Sequence, residues 1–107
     1  MTSFDDREQA FEKKFAHDQE LQFRVMARRN KLLGLWAAEK LGLTAAESDA
    51  YAKAVVQADF EEAGDEDVIR KVFSDLSARE LTVTEHEVRR ALDDKALEAR
   101  RQIMAES

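Results

Sequence analysis

Large apolar residues are sparse over the first 18 residues of the chain and become frequent after them. In this first part, beyond the first residue, they are Phe4, Phe11 and Phe15. At about 100° per residue in a helix, these side chains fall within roughly 60° of one another and form one narrow stripe. Because an isolated helix of about 15 residues is marginal in water, we expect this N-terminal arm, residues 1–19, to be mobile and disordered when free.

After the arm, the apolar face of the predicted first helix broadens enough to form a core. Its large apolar positions are Phe23, Val25, Met26, Leu32, Leu33, Leu35 and Trp36. We predict that this helix covers about residues 20–41 and ends before Gly42, since glycine readily adopts the left-handed conformation after a helix. The alternative is that the arm simply extends the bundle. One helix over residues 3–41 would span about 55–60 Å, about twice what the other helices could cover, which favours a protruding arm.

Three further helices are predicted from their start signals. Thr44 and Glu47, and later Thr84 and Glu87, have the spacing of a capping box. Asp65 begins the helix between these two, followed by acidic residues that suit the positive end of a helix dipole. The predicted helices cover about residues 44–63, 65–80 and 84–105.

Each of these helices has one apolar face. In the second helix the face consists mostly of small residues, which would let a neighbouring helix approach closely. Its positions are Tyr51, Ala54, Val55 and Ala58; those of the third helix are Val68, Ile69, Val72, Phe73 and Leu76, and those of the fourth are Val88, Leu92, Ala96, Ala99 and Ile103. Residues 81–83 are predicted to be a short connection, because a single strand would have no partner. The expected fold class is therefore all-α, an antiparallel four-helix bundle over residues 20–107 with a mobile N-terminal amphipathic arm.

Composition narrows the range of functions. The 107 residues contain no proline and no cysteine, and 37% of them are charged. This is typical of one helical domain and excludes disulfides and thiolate metal sites. The net charge of -6 argues against nucleic acid as a partner. No apolar run approaches the roughly 18 residues of a membrane span, and we find no signal-peptide core, so we expect the chain to stay where it is made.

Charged residues are unevenly distributed. Arg24, Arg28, Arg29 and Lys31 form a basic patch on the first helix, and an acidic cluster consists of Asp59, Glu61, Glu62, Asp65, Glu66 and Asp67. The favoured interpretation is two solvated helix surfaces that could meet each other. In the alternative interpretation, Arg28, Arg29 and Lys31 contact a nucleotide phosphate or an acidic partner, although no glycine-rich loop lies beside them.

Catalytic motifs are absent from the sequence. There is no P-loop and no dinucleotide fingerprint, and neither His17 nor His86 has a second histidine at metal-site spacing. We therefore expect no enzyme activity, no metal and no cofactor.

The segment Phe4–Ala38 resembles a known family. It contains FEKKFAHD at residues 11–18 and ARRNKLLGLWAA at residues 27–38, joined at a nearly fixed distance. In these motifs the chain is similar to the zeta subunit family of alphaproteobacterial F-type ATP synthases. The later helices agree with the family in length and capping, so the resemblance extends over the whole chain.

The resemblance implies an intrinsic inhibitor of F1-ATPase. In that family the N-terminal segment inserts as a helix into a catalytic interface between the alpha and beta subunits, beside the gamma subunit, and blocks ATP hydrolysis. Carried over by position, the inhibitory segment is about residues 1–19, with Phe4, Phe11 and Phe15 as apolar anchors and Arg7 and Lys14 making charged contacts. It also implies a cytoplasmic protein, held at the inner membrane through the ATP synthase. The alternative function is a small helical sensor that binds ATP or ADP weakly.

Overall fold

The computed structural model of the chain describes residues 3–59 and 64–106, with the side chains of residues 3–6 and 11 left outside the description. It contains four helices, α1 (Ser3–Leu41), α2 (Ala45–Ala58), α3 (Glu66–Ala78) and α4 (Glu85–Glu106). The described residues form no strand, and 81–84 are a connection without regular structure, as predicted.

Helix α1 is the central element of the bundle. It packs along α2 on one side and α4 on the other, while α3 contacts the other three helices. In the described parts of the chain α2 and α4 do not touch, so they occupy one diagonal of the bundle. Helix α2 runs antiparallel to α1, because Gly34 lies against Ala52 while the earlier residue Arg29 reaches the later residue Asp59. The predicted all-α four-helix bundle is confirmed.

Helix α1 is longer than the predicted core helix of about residues 20–41. It is continuous over 39 residues, and the excess length does not pack into the bundle. Every described side chain of residues 7–20 is exposed, and Leu21 is the first that is half-buried. The molecule is accordingly elongated, with principal extents of 65 × 25 × 20 Å. The mobility of the arm and a functional boundary at residue 19 stay predictions.

The core uses smaller residues of α1 than the apolar pattern predicts. Leu33, Ala37 and Ala38 are fully buried, whereas Phe23 and Met26 are 58% and 40% exposed. The expectation that the large apolar residues of α1 face the core was wrong for these two. The reason is that α1 is enclosed by its neighbours. Its most central positions have room for alanine and an occasional leucine, and the bulkier side chains lie at the edges of the helix interfaces.

Helices α1 and α2 cross in unusually close contact. A Cβ atom added to Gly34 would lie 2.7 Å from the backbone Cα of Ala52 and 3.3 Å from a methyl group of Val55. On α2 the buried residues are Ala52, Val55 and Ala58. Val55 and Ala58 were predicted, whereas the predicted Tyr51 and Ala54 are only half-buried and Ala52 was not predicted. Gly34 is therefore needed for its lack of a side chain, since any other residue would push the two helix backbones apart.

The predicted end of α1 and start of α2 are confirmed in detail. Gly42 follows α1 with a φ of 71°, and the next backbone amide, from Leu43, donates to the carbonyl of Ala38 at 3.1 Å. This pattern closes α1 with a Schellman motif. Thr44 then caps α2 in a reciprocal capping box with Glu47. The hydrogen bond from the Thr44 backbone amide lowers the pKa of the Glu47 carboxyl, so this cap weakens as the pH falls and Glu47 becomes protonated.

The starts and ends of the other helices differ more from prediction. Thr84 does cap α4, since its hydroxyl accepts a hydrogen bond from the Glu87 amide at 3.1 Å. Asp65 occupies the N-cap position of α3, but its side chain makes no capping hydrogen bond. Helix α2 ends at Ala58 instead of continuing to residue 63, and residues 60–63 lie outside the described part of the chain.

Glu80 occupies a position after α3 that favours glycine. Its φ is 59°, its amide donates to the carbonyl of Ser77 at 3.0 Å, and the next amide, from Leu81, donates to Leu76 at 3.3 Å. We expect Glu80→Gly to raise the free energy of unfolding by about 1 kcal/mol, because glycine adopts the left-handed conformation without steric strain. Urea denaturation followed by circular dichroism measures the change.

The matched control is Gly42→Ala, at the equivalent position after α1. It should lower the stability by a similar amount, about 1 kcal/mol, because alanine has a Cβ atom that crowds the left-handed conformation. A Glu80→Gly variant less stable than the unchanged chain would contradict this explanation of the α3 end.

Candidate functional site

The arm presents an amphipathic helical surface that its own bundle does not cover. Arg7, Lys14 and Phe15 are exposed, and Phe15 keeps 56% of its surface in contact with solvent. The side chains of Phe4 and Phe11 lie outside the described residues, so their part in the predicted stripe stays a prediction. Phe15 is therefore available to a partner, whose surface would bury it.

The root of the arm is held by the last turn of α4. Arg28 Nη2 lies 2.9 Å from Glu106 Oε1, and Arg24 Nη2 lies 3.2 Å from Glu106 Oε2. Arg28 also donates a 2.8 Å hydrogen bond to Gln102 Oε1. We call these four residues the α4 clamp. It fixes the end of α4 to α1 at the point where the exposed arm meets the packed bundle.

Arg29 is buried and holds the connection between α2 and α3 against α1. Its Nη1 lies 2.9 Å from Asp65 Oδ1, and its Nη2 lies 3.8 Å from Asp59 Oδ1. Its Nε donates to Asn30 Oδ1 at 3.0 Å, and its side chain is only 9% exposed. Asp65 is thus used as an ion-pair partner instead of a helix cap. The two acidic residues flank the connection, so one arginine fixes both of its ends.

The three basic residues proposed for a phosphate do not all converge. Arg29 extends to the α2–α3 connection. Arg28 and Lys31 line one open depression of the surface, where Arg28 is already paired with Glu106. A phosphate needs several donors directed at one point. The geometry therefore gives no support for a shared phosphate site here, and nucleotide binding stays a prediction.

The described residues of the acidic cluster are each paired with a cation, from α1, from α4 or from α3 itself. Besides the pairs of Arg29, Glu66 accepts from Arg89 at 2.8 Å and Asp67 pairs with Arg70 at 3.3 Å. The hydrogen bond from Arg89 lowers the pKa of the Glu66 carboxyl. Glu61 and Glu62 lie outside the described residues. The basic and acidic segments thus meet through Arg29, as one of the sequence interpretations allowed.

Tyr51 joins α2 to α3 through its hydroxyl group. The hydroxyl donates to Asp75 Oδ2 at 2.8 Å, and Lys71 donates to the same oxygen at 3.2 Å. Burial, together with this hydrogen bond, raises the pKa of Tyr51 far above its usual range. Tyr51 therefore stays protonated and acts as a structural donor.

Within residues 3–59 and 64–106 the structure contains no group of three potential metal ligands from His, Cys, Asp or Glu. Both histidines, His17 and His86, are exposed. No helix of the described chain is long and apolar enough to span a bilayer. The surface that remains as a candidate site is the arm with its root.

Sequence reasoning missed the α4 partners of this root. Arg24 was recognised only as a member of a basic patch, Arg28 also as a candidate contact for a phosphate or an acidic partner, and Glu106 and Gln102 were not singled out. The four-residue spacing of the two arginines places them on one face of α1. This spacing was the only sign in the sequence that they contact a common partner. Their partners are about 80 residues away in the sequence, and they can be identified only once the antiparallel packing of α1 and α4 is known.

Comparison with known proteins identifies the family. The family described as ATPase inhibitor subunit zeta matches residues 1–102 of the chain. A solution NMR structure shares 50% sequence identity and superimposes with a TM-score of 0.73, covering 81% of this chain and 99% of that one. No functionally curated protein is similar enough to match. Since the family match includes both the arm and the bundle, the chain belongs to the ATPase inhibitor subunit zeta family.

Proposed function

We propose that this protein inhibits ATP hydrolysis by the F1 part of ATP synthase, inserting residues 1–19 as a helix into an interface between the alpha and beta subunits, beside the gamma subunit. The observation that carries the proposal is the exposed Phe15, on a helical segment whose described side chains bury nothing against the bundle. Membership of an ATPase inhibitor family supplies the class of partner.

The proposed mechanism is mechanical obstruction without chemistry. A helix wedged between subunits that must close during turnover prevents the closing step. Phe4, Phe11 and Phe15 would enter apolar pockets of the interface, and each fully buried phenylalanine contributes about 2 kcal/mol. Arg7 and Lys14, which lie on the same side of the stripe around the helix, would pair with acidic groups at the rim of the interface.

The bundle supports the arm in this proposal. The α4 clamp ties α1 to the end of α4 directly after the arm, so the arm leaves a packed domain at a fixed point. When the arm is inserted between the subunits, the bundle stays outside that interface, at the periphery of the ATP synthase. This gives the protein its proposed place, on the cytoplasmic side of the inner membrane and attached through the ATP synthase.

A nucleotide sensor is the competing function. It would need ATP or ADP to bind the bundle. Arg29 is directed away from Arg28 and Lys31, and Arg28 is already paired with Glu106, so the three residues offer no common point for a phosphate. Titration with ATP and ADP, followed by backbone amide shifts, distinguishes the two functions. Under our proposal no shifts cluster around these three residues and the protein needs no cofactor.

The direct test is the rate of ATP hydrolysis by purified F1-ATPase with the full chain or with a chain lacking residues 1–19. We expect inhibition by the full chain alone. The circular dichroism of the shortened chain should still indicate a folded bundle, because the described side chains up to residue 20 are exposed. If neither chain changes the rate, the proposed function is wrong.

A point substitution tests the aromatic anchor within the full chain. We expect Phe15→Ala to raise the concentration for half-inhibition about tenfold or more, the equivalent of losing up to about 2 kcal/mol of apolar burial. Lys13→Ala is the matched control, since position 13 is exposed and lies about 160° from Phe15 around the helix. Equal inhibition by the two variants would contradict the assignment of Phe15.

A further inference from the structure

A groove runs between α1 and α4 at the root of the arm. Its apolar side chains are Leu21, Val25 and Met26 of α1 and Met104 of α4. Its polar lining residues are Asp18 and Gln22 of α1 and Arg100 of α4. Leu21 and Val25 are half-buried, whereas Met26 and Met104 are 40% and 55% exposed. The groove has a volume of about 420 Å³. It is therefore an open surface depression with an apolar floor, large enough to receive several side chains of a partner.

The α4 side of the groove is positively charged. Arg100 and Arg101 are both exposed, and neither forms an ion pair with any residue in the described ranges. Other cations of the bundle, such as Arg24, Arg29 and Arg89, are each bound to a carboxylate. The chain as a whole carries a net charge of -6. Asp18 lies on the α1 side of the groove, so its two sides differ in charge. The α4 side, with two unpaired arginines on an otherwise acidic protein, is suited to the acidic groups of a partner.

Leu97 extends this surface along α4. It is 66% exposed, and positions 97, 100, 101 and 104 are three or four residues apart, so they share one face of the helix. This face alternates leucine or methionine with arginine. It differs from the inward face of α4, where Leu92, Ala99 and Ile103 are buried.

The groove lies on the same side of α1 as the stripe of the arm. Around the helix, Phe15, Gln22, Val25 and Met26 fall within an arc of about 100°. A partner that contacts Phe15 therefore faces the groove as well. Arm and groove form one continuous surface, which begins at the described arm and ends on the outer face of α4.

We propose that this groove is a second docking site for the ATPase that receives the arm, and that its occupant is an acidic amphipathic helix on the outer surface of that enzyme. The proposal rests on the proposed function, which supplies the partner. A helix is the fitting shape because the groove lies between two antiparallel helices with side chains in i, i+4 pairs, Leu21 with Val25 and Arg100 with Met104. The apolar side chains of the partner helix would cover Met26 and Met104, and its carboxylates would pair with Arg100 and Arg101.

Two joined contacts bind more tightly than either alone. Once the arm is inserted, the groove lies close to the same enzyme at a high effective concentration, so even a weak second contact slows dissociation. Arginines at the rim act mainly on the rate of association and on its dependence on salt. The groove thus contributes affinity, while the arm produces the inhibition.

The test compares charge reversals in the full chain. Binding of each variant to immobilised F1-ATPase is measured directly by surface plasmon resonance, alongside inhibition of ATP hydrolysis. We expect Arg100→Glu to weaken binding about tenfold, with the same residual hydrolysis once the variant saturates the enzyme. Raising the salt concentration should weaken binding of the unchanged chain more than that of the variant. Met104→Ser, which removes apolar surface without changing charge, should weaken binding about threefold with no change in salt dependence.

Lys53→Glu is the matched control. Lys53 is an exposed cation of α2, without an ion pair in the described chain, and it lies on neither the groove nor the outer face of α4. The proposal is overturned if Arg100→Glu and Lys53→Glu bind equally well. It is also overturned if the unchanged chain does not bind the enzyme, or if sedimentation shows a dimer that Arg100→Glu dissociates, since a second copy then fills the groove. A chain that binds through the groove but does not inhibit would contradict the proposed function alone.

Discussion

Replacing Arg29 by methionine is expected to lower the free energy of unfolding by about 3 kcal/mol, since it leaves buried or half-buried carboxylates without their cation. Methionine keeps much of the side-chain volume but cannot pair with Asp59, whose side chain is only 15% exposed, or with Asp65. Asn30, 1% exposed, also loses the donor to its Oδ1 atom. Urea denaturation at neutral pH measures the loss.

Arg28→Met is the control for this prediction, because it is the same change at the adjacent residue. The Arg28 side chain is 28% exposed and pairs with the more exposed Glu106, so we expect a loss of about 1 kcal/mol or less. The combined change Arg29→Met, Asp59→Asn and Asp65→Asn should recover part of the stability, because it leaves no unpaired charge. Equal losses for the two arginines would mean that the burial of Arg29 does not determine its contribution.

Substitution of Gly34 by alanine is the second change with a large expected effect. In an ordinary helix interior this change stabilises by about 1 kcal/mol. Here the new Cβ would lie 2.7 Å from Ala52 Cα, a backbone atom that can move only if the whole of α2 shifts. We therefore expect a net loss of about 2 kcal/mol, measured by thermal or urea unfolding.

A double variant identifies the cause of the loss. Adding Ala52→Gly removes the methyl group 3.3 Å from the new Cβ but leaves the closer Cα in place, so Gly34→Ala with Ala52→Gly should recover little. Should Gly34→Ala instead stabilise the protein by the roughly 1 kcal/mol of an exposed helix site, the close approach of α1 and α2 would be disproved.

The sequence was sufficient to predict the helices and most of their ends. Local signals determine these features: the Thr44 capping box and the glycine at position 42 are complete within a few residues, and both were found where expected. The apolar faces of α3 and α4 were also predicted well, since Val72, Leu76, Val88 and Ile103 are all buried. Each of these short amphipathic helices has one inward face, and the helical period of its apolar residues identifies that face.

Prediction was poorer for α1 and for the charged residues. Helix α1 has neighbours on several sides, so its apolar pattern does not identify which positions are central, and Gly34, Ala37 and Ala38 were not recognised as core. Nor does the spacing of the arginines along the sequence show that Arg28 belongs to the exposed α4 clamp whereas Arg29 forms a buried ion pair. Both outcomes depend on residues 30 or more positions away, Glu106 and Asp59, which come close only through tertiary packing.

The sequence predicts that the arm is disordered when free. For an arm in that state, the continuity of α1 with the bundle affects how quickly and how tightly it becomes helical on a partner. A free peptide must first nucleate a helix, which is unfavourable by a factor of about 10⁻³, or about 4 kcal/mol. The arm needs no nucleus of its own, because the packed turns around Arg24 and Arg28 already supply one. Each arm residue then has only to propagate an existing helix, at a few nanoseconds per step. The bundle therefore acts as a permanent nucleus for its own N-terminal helix.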